Sequence, residues 1–161
     1  MQSRSLPALV WISTLSLHGD IYNRLNRAMV RECGLTLAKY DVLAQLHGNP
    51  EGLTLGALTR KLKVTGGNVT GLAKRLVAEG LATREMAPHD RRSFIARITP
   101  QGSAAFEAAR TQHDALLQEW MDGLTEAELA RALASLDQIR AALDRRMAGA
   151  DTVVDDPDDE G

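Results

Sequence analysis

Apolar residues at Leu9, Ile12, Leu15, Ile21, Leu25 and Met29 recur at close to helical spacing, which predicts a first helix over about residues 6–32. Pro7 suits its first turn, where a missing N–H costs nothing, and Gly34 ends it. Thr36 is placed to cap a second helix in which Leu37, Tyr40, Leu43 and Leu46 share a face. After a loop at His47-Gly48-Asn49-Pro50, Thr54 opens a short helix to Leu62, and Thr65 opens another from about Gly66 to Glu79, closed by Gly80. In that fourth helix Val69, Leu72, Leu76 and Val77 are expected to face inward.

From Leu81 the period changes. Leu81–Glu85 and Ser93–Ile98 are short strand-like runs separated by Ala87-Pro88-His89-Asp90, too long a link for a two-residue turn, so an extended hairpin or wing is expected. Thr99-Pro100 then starts a long helix with Phe106, Ala109, Leu116, Leu117 and Trp120 among its apolar positions. Gly123 breaks it. Thr125-Glu126-Ala127-Glu128 matches a capping box for a last helix to about Met147, expected to bury Leu129, Leu133, Leu136, Ile139 and Leu143.

The fold class is therefore mainly α with a small β-wing, a winged helix-turn-helix between terminal helices. The expected division is residues 1–35 as an N-terminal dimerisation helix and 36–99 as the DNA-binding domain. Residues 100–148 are then C-terminal dimerisation helices, and 149–161 a disordered acidic tail. The terminal helices carry more apolar surface than a small winged domain needs. An intertwined homodimer would bury it, and two-fold symmetry also serves a palindromic operator; a helical cap on a monomer is the alternative.

Charge changes the picture locally. The formal net charge of the 161 residues is −2, but six of the 21 acids lie in the last 13 residues, leaving 15 against 19 basic residues. Nine basic residues and three acids fall between Thr54 and Thr99, where the hairpin and fourth helix are expected. No run of about 18 apolar residues occurs, so no membrane partner is expected and the protein is read as cytoplasmic. Cys33 is the single cysteine, which excludes an internal disulfide. His18, His47, His89 and His113 lie in separate segments without metal-ligand spacing. No catalytic or phosphate-loop motif occurs, so neither an enzyme nor a cofactor is expected.

The fourth helix has chemistry suited to duplex DNA. Gly66, Gly67 and Gly71 let a backbone come close, at a cost of roughly 1 kcal/mol each in helix stability relative to Ala. Asn68 and Thr70 can bond base edges or phosphates, and Lys74 and Arg75 add cationic ends.

The runs LTLAKYDVLAQL, LTLGALTRKLKVTGGNVTGLAKRLVAEGLATR and DRRSFIARITPQG resemble the multiple antibiotic resistance regulator (MarR) family. With the flanking helices the resemblance covers residues 6 to 147, and Asp90-Arg91-Arg92 followed by Ile98-Thr99 and Gly102 is its most specific part. It implies a dimer with recognition helices at Thr65–Glu79, wings near His89–Ser93, and a small-molecule pocket between the helical layer and each DNA-reading lobe. By similarity Arg92 enters the minor groove, Asp90 orients it and Arg91 contacts backbone; a narrow groove strengthens the negative potential that draws an Arg. An ordinary turn salt bridge between Asp90 and Arg91 is the plain alternative. Relatives carry an acid in a Val-Asp-Arg-Leu type run where this chain has Ala73-Lys74-Arg75-Leu76, a departure that makes the helix more basic.

The resemblance also places Trp11, His18, Tyr22, Tyr40 and Asp41 on helices that line the pocket. Trp11, His18, Tyr40 and Asp41 are the ligand-binding candidates, for a small aromatic effector such as a carboxylate or an aroyl-CoA thioester. Some relatives sensing urate-like or phenolic anions use a Trp on the first helix and an Asp at the position of Asp41, a partial match to Trp11 and Asp41. The Gly-Gly-Asn-Val-Thr-Gly segment is similar to regulators of aromatic catabolism. Core or interface roles for Trp11 and Tyr40 are the alternative. The expectation is a ligand-responsive, sequence-specific repressor of operator DNA. A thiol-based sensor using Cys33, or a helical module binding an acidic protein, are the competing readings.

Overall fold

The computed structural model describes residues 4–62, 66–87 and 90–150. Six helices and a small antiparallel sheet follow in the order α1 (Leu6–Cys33), α2 (Leu37–His47), β1 (Leu53–Thr54), α3 (Leu55–Leu62), α4 (Gly66–Ala78), β2 (Ala82–Ala87), β3 (Asp90–Ile98), α5 (Pro100–Trp120) and α6 (Glu126–Ala150). The chain divides into two compact units, Met1–Glu119 and Trp120–Gly161.

Local chemistry accounts for the element ends. Gly34 takes φ 68° and its N–H bonds to Val30, closing α1. The Thr36 hydroxyl accepts from the Lys39 N–H (3.3 Å), and Asn26 Oδ1 on α1 accepts from Leu37 N–H (2.9 Å), so two side chains satisfy the start of α2. Thr54 Oγ1 accepts from Ala57 N–H (3.1 Å) and caps α3. Gly80, with φ 73°, ends α4; its N–H bonds to Val77 and that of Leu81 to Leu76.

The sheet order is β1-β3-β2. Thr83 faces Arg97, Arg84 faces Ala96 and Met86 faces Phe94, with a register shift between Met86 and Ala87, which pairs with Asp90. Ala87 and Asp90 thus belong to the strands, correcting the expectation that both were loop. β1 is a two-residue strand that exists only by pairing Leu53 with Ala96 and Thr54 with Ile95.

The core of the first unit is built from Leu25, Ala28 and Met29 of α1, Tyr40, Val42, Leu43 and Leu46 of α2, Leu58 of α3, the inner face of α4, Ala82 and Ala96 of the sheet, and Phe106, Ala109 and Leu116 of α5. Thr99 ties its ends together. Its hydroxyl donates to the Gly80 carbonyl (2.7 Å) and accepts from Gly102 N–H (3.0 Å), while its own N–H donates to the Leu81 carbonyl (3.1 Å). Gly102 packs so tightly there that a Cβ would stand 1.9 Å from the Leu81 carbonyl oxygen.

In the second unit the expected capping box forms. Glu128 N–H donates to Thr125 Oγ1 (3.3 Å), and Glu128 Oε2 accepts from Thr125 N–H (2.8 Å). These bonds to the charged form hold the Glu128 carboxyl below its ordinary pKa. The apolar positions of α6 differ from expectation. Leu133, Leu136, Ile139 and Leu143 are exposed, Leu133 and Leu143 at 61% each. The first half of α1 is exposed in the same way at Leu9, Trp11, Ile12 and Leu15.

Candidate nucleic-acid interface and ligand groove

α4 is positioned by its inner face. Val69, Leu72, Ala73 and Leu76 are buried, whereas Val77 is 37% exposed. The expectation for Val77 is corrected: Ala73, one turn earlier and nearer the middle of the buried arc, takes the inward place, and Val77 at the edge of the arc turns outward. Lys74 and Arg75 are exposed and Thr70 is half-buried. A Cβ at Gly71 would meet only the guanidinium end of Arg75, at 3.8 Å, so packing within the chain does not require a glycine there. Gly66 and Gly67 form the first turn of α4, and Thr65 lies outside the described residues.

Lys39 on α2 pairs with Glu79 just beyond α4 (2.5 Å), holding the C-terminal end of α4 against α2. Sequence reading did not single out this pair, whose members stand 40 residues apart. Asp90, Arg91 and Arg92 begin β3, on the hairpin where the wing was expected; their side chains lie outside the described residues. Lower on the same hairpin, Arg97 pairs with Glu85 (2.8 Å) and the Arg84 guanidinium stacks on Phe94.

A groove of about 110 Å³ is lined by Tyr22 of α1, Ala38 and Asp41 of α2, Leu62 of α3, and Asn68 and Leu72 of α4. Of the four ligand candidates only Asp41 lines it. Desolvation raises the Asp41 pKa above the ordinary carboxylate value, opposed by the charge of His113. Tyr40 is buried and stacks between Phe106 (5.4 Å) and His113 (4.8 Å), making it part of the α2–α5 packing. Burial, reinforced by Asp114 and Asp41, raises its phenol pKa. His18 stacks on Tyr22 at 5.8 Å and so borders the groove through that ring. Trp11 is 64% exposed, three helical turns before Tyr22 on α1, and does not line the groove. Asn68, assigned by sequence to DNA alone, belongs to this lining.

Cys33, at the end of α1, is partly buried. Desolvation and then the Glu32 charge push its thiol pKa up, away from the thiolate. Among the described residues no group of three His, Cys, Asp or Glu side chains could hold a metal ion, and no helix is long and apolar enough to cross a membrane.

Comparison with known proteins bears on the same elements. Residues 34–93, from the start of α2 into β3, match the MarR family. A MarR family transcriptional regulator from Silicibacter pomeroyi is 36% identical, with a TM-score of 0.75 over 85% of this chain and 94% of that one. The HTH-type transcriptional repressor MdtR of Bacillus subtilis is 28% identical over 76% of this chain and 78% of its own. CouR from Rhodococcus jostii, solved bound to p-coumaroyl-CoA, shares the fold at 20% identity, with a TM-score of 0.71 over 85% of this chain and 95% of that one. The six helices, the three-stranded sheet and the placement of α4 beside the β2–β3 hairpin are those of a winged helix-turn-helix, and the chain belongs to the MarR family of transcriptional regulators.

Proposed function

We propose that the chain is a homodimeric repressor that places α4 in the DNA major groove and the β2–β3 hairpin over the adjacent minor groove. A small aromatic molecule in the Tyr22–Asp41–Asn68 groove releases it. The observation that carries the DNA reading is the face of α4 opposite the core. It presents small Gly71 with cationic Lys74 and Arg75, and nothing among the described residues requires that glycine. A glycine flanked by cations on an outer helix face costs helix stability and allows close approach to a duplex. Thr65, Gly66, Gly67, Asn68 and Thr70 complete the proposed contact, with Arg92 in the minor groove, Asp90 orienting it and Arg91 on the backbone.

The exposed faces of α1 and α6 support dimerisation. Their spacing and size exceed the scattered single apolar residues that a monomer surface carries. Residues 1–35 and 100–148 are accordingly assigned to a dimerisation layer and 36–99 to the DNA-binding domain. The relative from Bacillus subtilis is a repressor, which supports the same direction of control here.

For the effector, the groove of about 110 Å³ is smaller than the apolar cavity of about 150 Å³ that holds benzene, so one planar ring is the most that could enter it. The ring of an aromatic acid fits that limit, and an aroyl-CoA would leave its nucleotide outside. CouR binds a thioester of that kind. Asp41 would repel a carboxylate unless protonated, so its role toward an acid is to accept from a ligand hydroxyl or to act as the protonated form. Trp11, His18 and Tyr40 are then supporting residues rather than direct contacts. A raised thiol pKa weighs against Cys33 as a peroxide sensor. Sequencing the genomic fragments retained by the pure protein, then titrating aromatic acids against the bound duplex, tests the reading. Retention of no preferred sequence contradicts it.

A further inference from the structure

The Arg84 guanidinium stands out among the cations of the hairpin. Its carbon lies over the Phe94 ring, 3.6 Å from the centroid, a cation–π contact that holds the group against that ring. Its Nε is buried and finds no hydrogen-bond acceptor among the described residues, nor does any described carboxylate pair with it. A buried donor left unmade is costly, so an arginine kept only for packing would be expected to carry an acid. One is close in sequence. The neighbouring Glu85 pairs instead with Arg97, on the opposite face of the hairpin.

Strand alternation fixes which face Arg84 occupies. It shares a face with Ala82, and its cross-strand partner is Ala96; both alanines are buried. Arg84 therefore stands on the inner face of the hairpin, between the buried root and the tip, on a strand that contacts α4. Part of the residue remains in solvent.

We propose that Arg84 is a phosphate-contacting residue of the DNA interface. Phe94 is its positioning platform, and the phosphate belongs to the strand running between the groove read by α4 and the groove covered by the hairpin. The inference rests on the DNA-binding reading above and adds a contact that fixes register without reading sequence. A planar guanidinium already seated on a ring loses less freedom on meeting a phosphate than a free one.

The test uses the full chain, a duplex retrieved by the wild type from genomic DNA, and a mixed-sequence duplex of the same length. Affinity is measured from about 50 to 300 mM salt. Arg84→Gln is expected to bind both duplexes more weakly, with a log–log salt slope shallower by about 0.9 per bound protomer. Arg84→Lys should keep the slope, and Arg97→Gln, whose charge is already paired, should also leave it unchanged. A wild-type slope for Arg84→Gln overturns the proposal, and so does an equal flattening in Arg97→Gln. Thermal melting identifies a folding defect. Should Arg84→Gln melt early, Phe94→Leu decides: it must weaken binding with the slope retained, and unchanged binding overturns the proposal. A wild type that retains no DNA overturns the DNA-binding reading itself and the Arg84 contact with it.

Discussion

Asp41 on α2 and Asn68 in the first turn of α4 line the same groove, although 27 positions separate them in the sequence. A side chain on the proposed recognition helix is thus also a wall of the proposed ligand site. A ligand that prefers one spacing of these two walls biases the position of α4, and linkage requires operator DNA to weaken that ligand by the same factor. Helix movement then needs no long relay, because the binding wall is the moving element.

Asp41→Asn tests the groove through both ligand response and pH. Burial raises the folded-state pKa of Asp41, so between its ordinary value and the raised one the folded chain binds more protons than the unfolded chain. Its contribution to stability therefore falls as pH rises through that window. The variant should be more stable than wild type at pH 7, with the difference closing as pH drops below the ordinary carboxylate range. Ligand-free DNA binding should be retained and ligand release blunted. Melting curves across pH that stay parallel for the two proteins would contradict the desolvated carboxyl.

Gly71→Leu separates folding from DNA binding. The position has open space apart from the Arg75 tip, and Leu is favoured over Gly in a helix by up to about 1 kcal/mol. Thermal stability should hold or rise while operator affinity falls by tenfold or more, about 1.4 kcal/mol. Unchanged affinity would remove the outer face of α4 from the interface.

Gly102→Ala has the opposite character. The new Cβ would meet the Leu81 carbonyl, so the junction of α4, the hairpin and α5 must shift. Overpacking of this kind costs about 1–3 kcal/mol. Denaturant unfolding should show that loss, and a melting point equal to wild type would show that the junction yields freely.

Leu136→Glu combined with Leu143→Glu should convert the protein to monomers in sedimentation, leaving helical content near wild type. The two lie seven positions apart on α6 and are exposed in the single chain, so the charges disturb no packing within it. A dimer that survives both charges would place the interface elsewhere.

Much of this architecture is legible in local sequence because local chemistry decides it. Thr36, Thr54, Thr99 and Thr125 each cap the helix that follows, and the hydroxyl spacing alone predicts this. Three of the four inward positions of α4 follow from its period; Val77 does not, since periodicity does not say how wide the buried arc is, and Val77 lies at its edge. β1 escapes prediction because a two-residue strand has no pattern of its own and exists by pairing with β3. The groove was harder still. Tyr22 is legible only as a ring on a pocket helix, Ala38, Leu62 and Leu72 carry no chemical signal, and four separate helices must assemble before they share a wall. Tyr40 misled for the converse reason: an aromatic beside Asp41 reads as ligand chemistry until its stacking on Phe106 and His113 is seen. The exposed face of α6 was legible as apolar but not as unpartnered, since composition cannot say which molecule covers it.

The central claim is that two copies of α4 read DNA across a two-fold axis. Its most direct measurement is the affinity of the full chain, at physiological salt, for the duplex it retrieves from genomic DNA and for the same duplex scrambled. The account predicts an imperfect palindrome with half-sites about one helical turn apart, bound at least 10³-fold more tightly than the scramble. Equal affinity for the two duplexes would contradict it.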